Sequence, residues 1–264
     1  MGFPTRDMTK AFVGKNVAAF APQARYSRMI LVLSHMRSAT TALSNVLCSH
    51  PAISGYGETH VTHTEANSPG QVLVNVARRR AYEPRAKFLF DKVLHDHLDV
   101  KAPQAFADAR AIFLVRAPGP AVASIVKLAA ATSLQEVREP GQAALYYANR
   151  LESLAQRWQT FSPERRFGLT AERLLDDPDS VVDQIGNWLD LSPQLENRYV
   201  SHKATQLGGG GDPTASARLS KIEARPSAAP SPVVGVDAYL NKRCQSAYGV
   251  LVAAFEQSEP PVSR

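Results

Sequence analysis

An unbroken apolar run that ends in a hydroxyl-rich turn and passes at once into a helical pattern leaves few folds open. Here the run is Met29-Ile30-Leu31-Val32-Leu33. The turn is Ser34-His35-Met36-Arg37-Ser38-Ala39-Thr40, and the pattern from Thr41 to Ser49 puts Leu43, Val46 and Leu47 on one side. Such a run reads as a strand buried on both faces, as in a parallel sheet. Strand, tight turn and helix N-terminus together aim free N–H groups and the positive end of a helix dipole at an anion. Arg37 adds a planar, permanent cation, and Ser38, Thr40 and Thr41 add hydroxyls at the first turn. Two readings stay open on this stretch: a nucleotide-phosphate site, or an ordinary connection capped by Ser and Thr. It is not a Walker A loop, because the turn has neither glycine nor lysine. Gly14-Lys15-Asn16 lacks the hydroxyl and the upstream glycine, and is a decoy.

The rest of the chain alternates in the same way. Ile53 to Gly57 reads as a short strand or turn, and Asn67-Ser68-Pro69-Gly70 as a loop before a helix from Gln71 to Arg80. Lys87 to Leu94, Ala111 to Val115 and Arg166 to Thr170 read as further strands. Ala121–Ala131, Gly141–Phe161, Asp179–Leu189 and Val236–Gln257 read as helices. Alternating strands and helices imply an α/β fold, a single domain with a central, mostly parallel sheet flanked by helices. Residues 1–28 read as an N-terminal arm, and 29–264 as the domain, with a Gly/Pro/Ser-rich loop at 207–232 and a C-terminal helix. The Gly208–Gly211 run opens no βαβ unit, so it is not a dinucleotide fingerprint.

A length of 264 residues with 44% hydrophobic content allows a sizeable core. The net charge of +6 is spread along the chain, with Arg78-Arg79-Arg80 the one tight run and no aromatic ladder beside it. That suits an anionic ligand better than a nucleic acid. Cys48 and Cys244 are isolated and in no metal-type spacing, which fits free thiols and a cytoplasmic setting. No apolar stretch approaches the ~20 residues of a membrane span.

Arg37-Ser38-Ala39-Thr40-Thr41 after a buried strand resembles the 5′-phosphosulfate loop of sulfotransferases that use 3′-phosphoadenosine 5′-phosphosulfate (PAPS). The family usually has Gly where Ala39 stands and often Pro where Met36 stands. Arg116 at the end of a strand, with Ser124 eight residues on in the next helix, is similar to the family's 3′-phosphate pair. Glu58 lies beyond the His50-Pro51 helix break and next to Gly57, as in tyrosylprotein sulfotransferases, where such a glutamate is the proposed general base. Lys92 stands near a strand end where many members keep a lysine. His95 falls one residue late for the histidine base of cytosolic members and is the reserve candidate. Glu172 to Pro178 resembles the segment near the adenine, with Ala171 in place of its tyrosine. Gly210 and Gly211, with Arg218 downstream, resemble the glycine-rich loop over the nucleotide.

The resemblance, spread over roughly residues 29 to 225, implies a P-loop-like sulfotransferase fold. It implies an enzyme that moves a sulfuryl group from PAPS to a hydroxyl, less favourably an amine, and releases adenosine 3′,5′-bisphosphate without a metal. The acceptor class is a small molecule, lipid or carbohydrate, and the oligomeric state is open. Two alternatives stand beside it. One is a P-loop-type small-molecule kinase, for which Phe88-Leu89-Phe90-Asp91 looks like a Walker B strand. The other is a non-catalytic nucleotide-binding protein. His60 and His63 could line an acceptor pocket, but read first as surface histidines.

Overall fold

A computed structural model describes residues 21–132, 134–203, 219–226 and 231–258. Most of the expected N-terminal arm lies outside these residues, as do Gly210, Gly211 and Arg218. Five strands form one sheet: β1 (Met29–Ser34), β2 (Ile53–Ser54), β3 (Phe88–Val93), β4 (Arg110–Val115) and β5 (Arg166–Thr170). Their order is β2-β3-β1-β4-β5, and every adjacent pair is parallel. The sheet is therefore wholly parallel among the described residues, where the sequence predicts it mostly so.

Every residue of β1 and β3 is buried, which is why both read as continuous apolar runs. Side chains alternate between two core layers. Leu31, Leu33, Leu89 and Phe113 enter the first, and Ile30, Val32, Phe90 and Ile112 the second. The first layer is covered by α2 (Ser68–Arg78), α4 (Pro118–Ala131), α5 (Pro140–Trp158) and α8 (Ala238–Glu256). The second is covered by α1 (Thr40–Cys48), α6 (Ala171–Asp176) and α7 (Pro178–Trp188). A short α3 (Asp96–Asp99) follows β3. α8 crosses β5 so closely that a Cβ on Gly168 would sit 2.3 Å from the Phe255 ring.

Two helices start earlier than the sequence predicts. Ser68-Pro69-Gly70, read as loop, is the first turn of α2, and Pro118-Gly119-Pro120, ahead of the start expected at Ala121, opens α4. In both, proline sits in the first turn, where its missing N–H costs nothing and its φ is already helical. α6 was not predicted; six residues are too few for a helical period to show.

From β1 the chain runs outward to β2 and back to β3, then crosses to β4 on the other side. The order reverses between β1 and β4, and open α/β sheets bind ligands outside the strand ends at such a point.

Candidate active site

The loop after β1 is held from below. His35 is fully buried, and its Nε2 accepts the Arg116 N–H at 3.0 Å while Nδ1 lies 2.8 Å from the Met36 carbonyl oxygen. A ring nitrogen that accepts from a backbone N–H carries no proton, so the proton is on Nδ1 and is donated to Met36. The ring thus ties the end of β1 to the end of β4. Burial, with the Arg116 and Arg150 charges adding to it, pushes the His35 pKa down to about 3 against the pull of the Met36 carbonyl.

Below the unfolded value of 6.5 the unfolded chain binds a proton here that the folded protein refuses until pH about 3. Stability is therefore complete above pH 6.5 and drains away as pH falls toward 3. The loss should be on the order of 4 kcal/mol from this group. Urea midpoints across that range measure it, and His35→Gln should flatten the dependence.

α5 supplies three more ties. The Tyr146 hydroxyl accepts the Met36 N–H and donates to the Leu94 carbonyl, both at 2.9 Å. The Tyr147 hydroxyl donates to the Arg116 carbonyl at 2.7 Å. Arg150 Nε donates to the Ser34 carbonyl at 2.9 Å, and its other nitrogens reach the Val93 carbonyl, Asp96 and both oxygens of Asp99. One helix face therefore fixes the ends of β1, β3 and β4. Sequence reading saw α5 as a helix and missed His35, Tyr146, Tyr147 and Arg150.

Within the loop, Arg37 and Ala39 take left-handed backbone angles, with φ of 67° and 66°. Ala39 holds at some strain a geometry that suits glycine. Ser38 does not face outward. Its hydroxyl is buried, 2.5 Å from that of Ser34, and donates to the His35 carbonyl at 2.8 Å, so its side chain tightens the turn. Arg37 Nε donates to the Ser124 hydroxyl at 2.9 Å, and an Arg116 Nη donates to the Arg37 carbonyl at 3.2 Å. Arg37, Arg116 and Ser124, separate in sequence, form one cluster in which Ser124 is bonded to Arg37.

A cavity of about 490 Å³ opens over this cluster. Arg37, Ala39, Thr40 and Thr41 line it from the loop, Glu58, Lys92 and His95 from the β3 side, and Arg116 from β4. Glu58 is only 8% exposed, and its Oε1 has no hydrogen-bond partner among the described residues. Lys92 is 2% exposed. His95 packs beside Tyr146 and His97; burial first, then the charges of His97 and Arg150, lower its pKa to about 4.

Comparison with known proteins bears on the fold that carries this site. A family model described as the sulfotransferase family matches residues 67–194, from α2 through α7. Over that segment, just under half of its length, the chain is similar to the sulfotransferase family. Among solved structures, the chain is similar to a sulfotransferase domain from the Synechococcus PCC 7002 olefin synthase. Identity is 18%, over 84% of this chain and 94% of that one, with a TM-score of 0.55. It is also similar to a sulfotransferase domain from the curacin biosynthetic pathway, at 18% identity over 84% of this chain and 97% of that one, with a TM-score of 0.52. At that identity these two establish the shared fold. No curated protein gives a significant match.

Two features of this site depart from the sequence reading. Asp91, the Walker B candidate of the kinase alternative, is 1% exposed and does not line the cavity. Its oxygens are taken by Thr59, His63 and the Lys92 amide. His63 is not a surface histidine. It is fully buried between Asp91 and the Tyr26 hydroxyl, while His60 is exposed at the cavity.

Beyond the Arg37 loop the cavity is walled by Leu175, Tyr199, Leu219 and Ile222. Arg225 lines it as well, its amide donating to the Leu175 carbonyl at 2.9 Å. Its charge joins that of Arg37 in lowering the Arg116 pKa, an effect led by burial and opposed by Glu172. Arg225 was missed because it follows a stretch of low-complexity composition with no periodic signal. Glu172 braces the turn after β4, accepting from the Ala117 N–H at 3.0 Å and from the Tyr248 hydroxyl at 3.3 Å.

No helix among the described residues is long and apolar enough to cross a membrane.

Proposed function

We propose that this protein is a PAPS-dependent sulfotransferase acting on a hydroxyl acceptor. The observation that carries the reading is the convergence of Arg37, Arg116 and Ser124 at the β1/β4 reversal, with a buried, unpartnered Glu58 oxygen in the same cavity. A buried carboxylate oxygen is costly without a donor, and an acceptor hydroxyl is the donor this cavity lacks. The cationic cluster suits an anionic nucleotide, and the wall of Leu175, Tyr199, Leu219 and Ile222 suits its base.

PAPS, when bound, supplies the sulfuryl group and departs as adenosine 3′,5′-bisphosphate. Arg37 and Lys92, with the loop amides and the hydroxyls of Thr40 and Thr41, hold the 5′ end and spread the charge that develops there. Arg116, Ser124 and Arg225 hold the 3′-phosphate. Glu58 orients the acceptor hydroxyl and takes its proton during in-line attack, so positioning and charge compensation account for most of the rate.

On the acceptor side the cavity shows Met36, Leu94, Leu128 and Leu134. That lining favours a hydroxyl carried on an apolar small molecule or lipid over a carbohydrate. Two isolated cysteines, both free thiols, support the cytoplasm as the setting.

Thermal shift tests the donor: adenosine 3′,5′-bisphosphate should raise Tm, and ATP with magnesium should not. The opposite result would return the kinase alternative, and no shift with either would favour a different ligand. Arg116→Ala should weaken adenosine 3′,5′-bisphosphate by about 1.5–3 kcal/mol, roughly 10- to 150-fold, and adenosine 5′-phosphate far less. Calorimetry with both nucleotides checks this; equal losses would remove Arg116 from the 3′-phosphate. Because side chains supply the positive charge, transfer should persist in EDTA within about twofold of its rate with magnesium.

A further inference from the structure

We propose that Asp91 is the positioning residue of the reaction: through Thr59 it fixes the segment bearing Glu58 against the strand bearing Lys92. The inference rests on Glu58 as the base and explains how that base is aimed.

β2 pairs with β3 only at Ile53↔Phe88 and Ser54↔Leu89. Past that point the chain leading to Glu58 has no ladder to hold it. The Asp91 carboxylate takes the ladder's place. Its Oδ1 accepts the Thr59 N–H and the Lys92 N–H, each at 2.9 Å. Its Oδ2 accepts the Thr59 hydroxyl at 2.8 Å and lies 3.1 Å from His63 Nε2. One oxygen is thus shared by Lys92's own amide and the residue next to Glu58. Asn75 of α2 donates to the Thr59 carbonyl at 3.1 Å, so Thr59 is held at both backbone groups and at its side chain.

This clamp matters because Glu58 has little else. Its Oε1 has no hydrogen-bond partner, and the residue before it is Gly57 at φ 149°, a soft joint. With Thr59 released, Glu58 pivots at Gly57, and misplacement on the ångström scale costs a base much of its effect.

Thr59→Val keeps the shape and removes the hydroxyl, and Thr59→Ser restores it. Transfer of radiolabelled sulfuryl from PAPS to decan-1-ol, to 4-nitrophenol and to water gives the rates. Thr59→Val should lose about ten- to thirtyfold in kcat, with the Kd for adenosine 3′,5′-bisphosphate within twofold of wild type. Thr59→Ser should recover to within threefold. In a Glu58→Gln background, Thr59→Val should cost less than twofold more, because the clamp acts through that carboxylate. Asn75→Ala, which frees Thr59 from the other side, should repeat the effect if Thr59→Val does not fold.

A Thr59→Val rate equal to wild type, or a full additive loss in the Glu58→Gln background, overturns the inference and leaves the sulfotransferase reading intact. A wild-type protein that binds no adenosine 3′,5′-bisphosphate overturns both. One that binds it but moves sulfuryl to none of the three acceptors overturns the inference.

Discussion

Glu58→Gln should bind adenosine 3′,5′-bisphosphate as tightly as wild type and turn over at least about a hundredfold more slowly. The amide keeps the shape of the side chain but cannot take a proton. A base engaged only while the acceptor attacks contributes to kcat and little to donor affinity. Oε1 has no partner among the described residues, so the substitution breaks no bond to them at that atom and the fold should be unchanged. His95→Ala should lose far less, because in this reading the proton goes to Glu58 and not to His95. Radiolabelled transfer with calorimetry on each variant separates the two. A Glu58→Gln enzyme within a few-fold of wild type, beside an inactive His95→Ala enzyme, would move the base to His95.

Arg150→Met should destabilise the protein by about 3–5 kcal/mol, read as a lowered midpoint in urea. Arg150 is 1% exposed and Asp99 4% exposed at the side chain, and the two are joined by a double hydrogen bond. Burial alone would lower the Arg150 pKa, but Asp99 and Asp96 outweigh it and hold the group charged. Methionine fills part of the volume and leaves a buried carboxylate without its partner. Asp99→Asn added to Arg150→Met should therefore recover part of the loss, because it removes the stranded charge. A loss below about 1 kcal/mol would mean that water reaches Asp99 and compensates it.

Much of this molecule was legible in order. β1, β3 and β4 read as mainly apolar runs because a parallel sheet covered on both faces demands it, while the edge strand β5 is only partly buried. The turn after β1 was legible as a candidate anion site because hydroxyls and an arginine follow a buried run just before a helix, although a Ser/Thr-capped connection reads the same. Glu58, Lys92, His95 and Arg116 were singled out by their resemblance to sulfotransferase patterns at strand ends and helix breaks, and the fold brings all four to one cavity. Ser124 came with them, although its hydroxyl is bonded to Arg37.

What was not legible has a common cause. Periodicity says which face of a helix is buried but not what lies opposite. Tyr146, Tyr147 and Arg150 look like ordinary helix residues until the strand ends they meet are known. Asp91 was misread for a related reason: an acid at the end of an apolar strand looks the same whether it faces a ligand or a neighbouring segment. His35 carries no motif, and only its position between Met36 and Arg116 gives it a role.

The braces from α5 reach the loop from the interior, whereas Leu128 and Leu134 meet the cavity from the far end of α4 and the connection beyond it. The anchoring and the acceptor wall therefore share no side chain. Such a molecule can exchange one clientele for another by rewriting Leu128, Thr132 and Leu134 while leaving its transfer apparatus untouched. A library confined to those three positions is accordingly the shortest route to new acceptors, and its members should inherit the parent's nucleotide affinity.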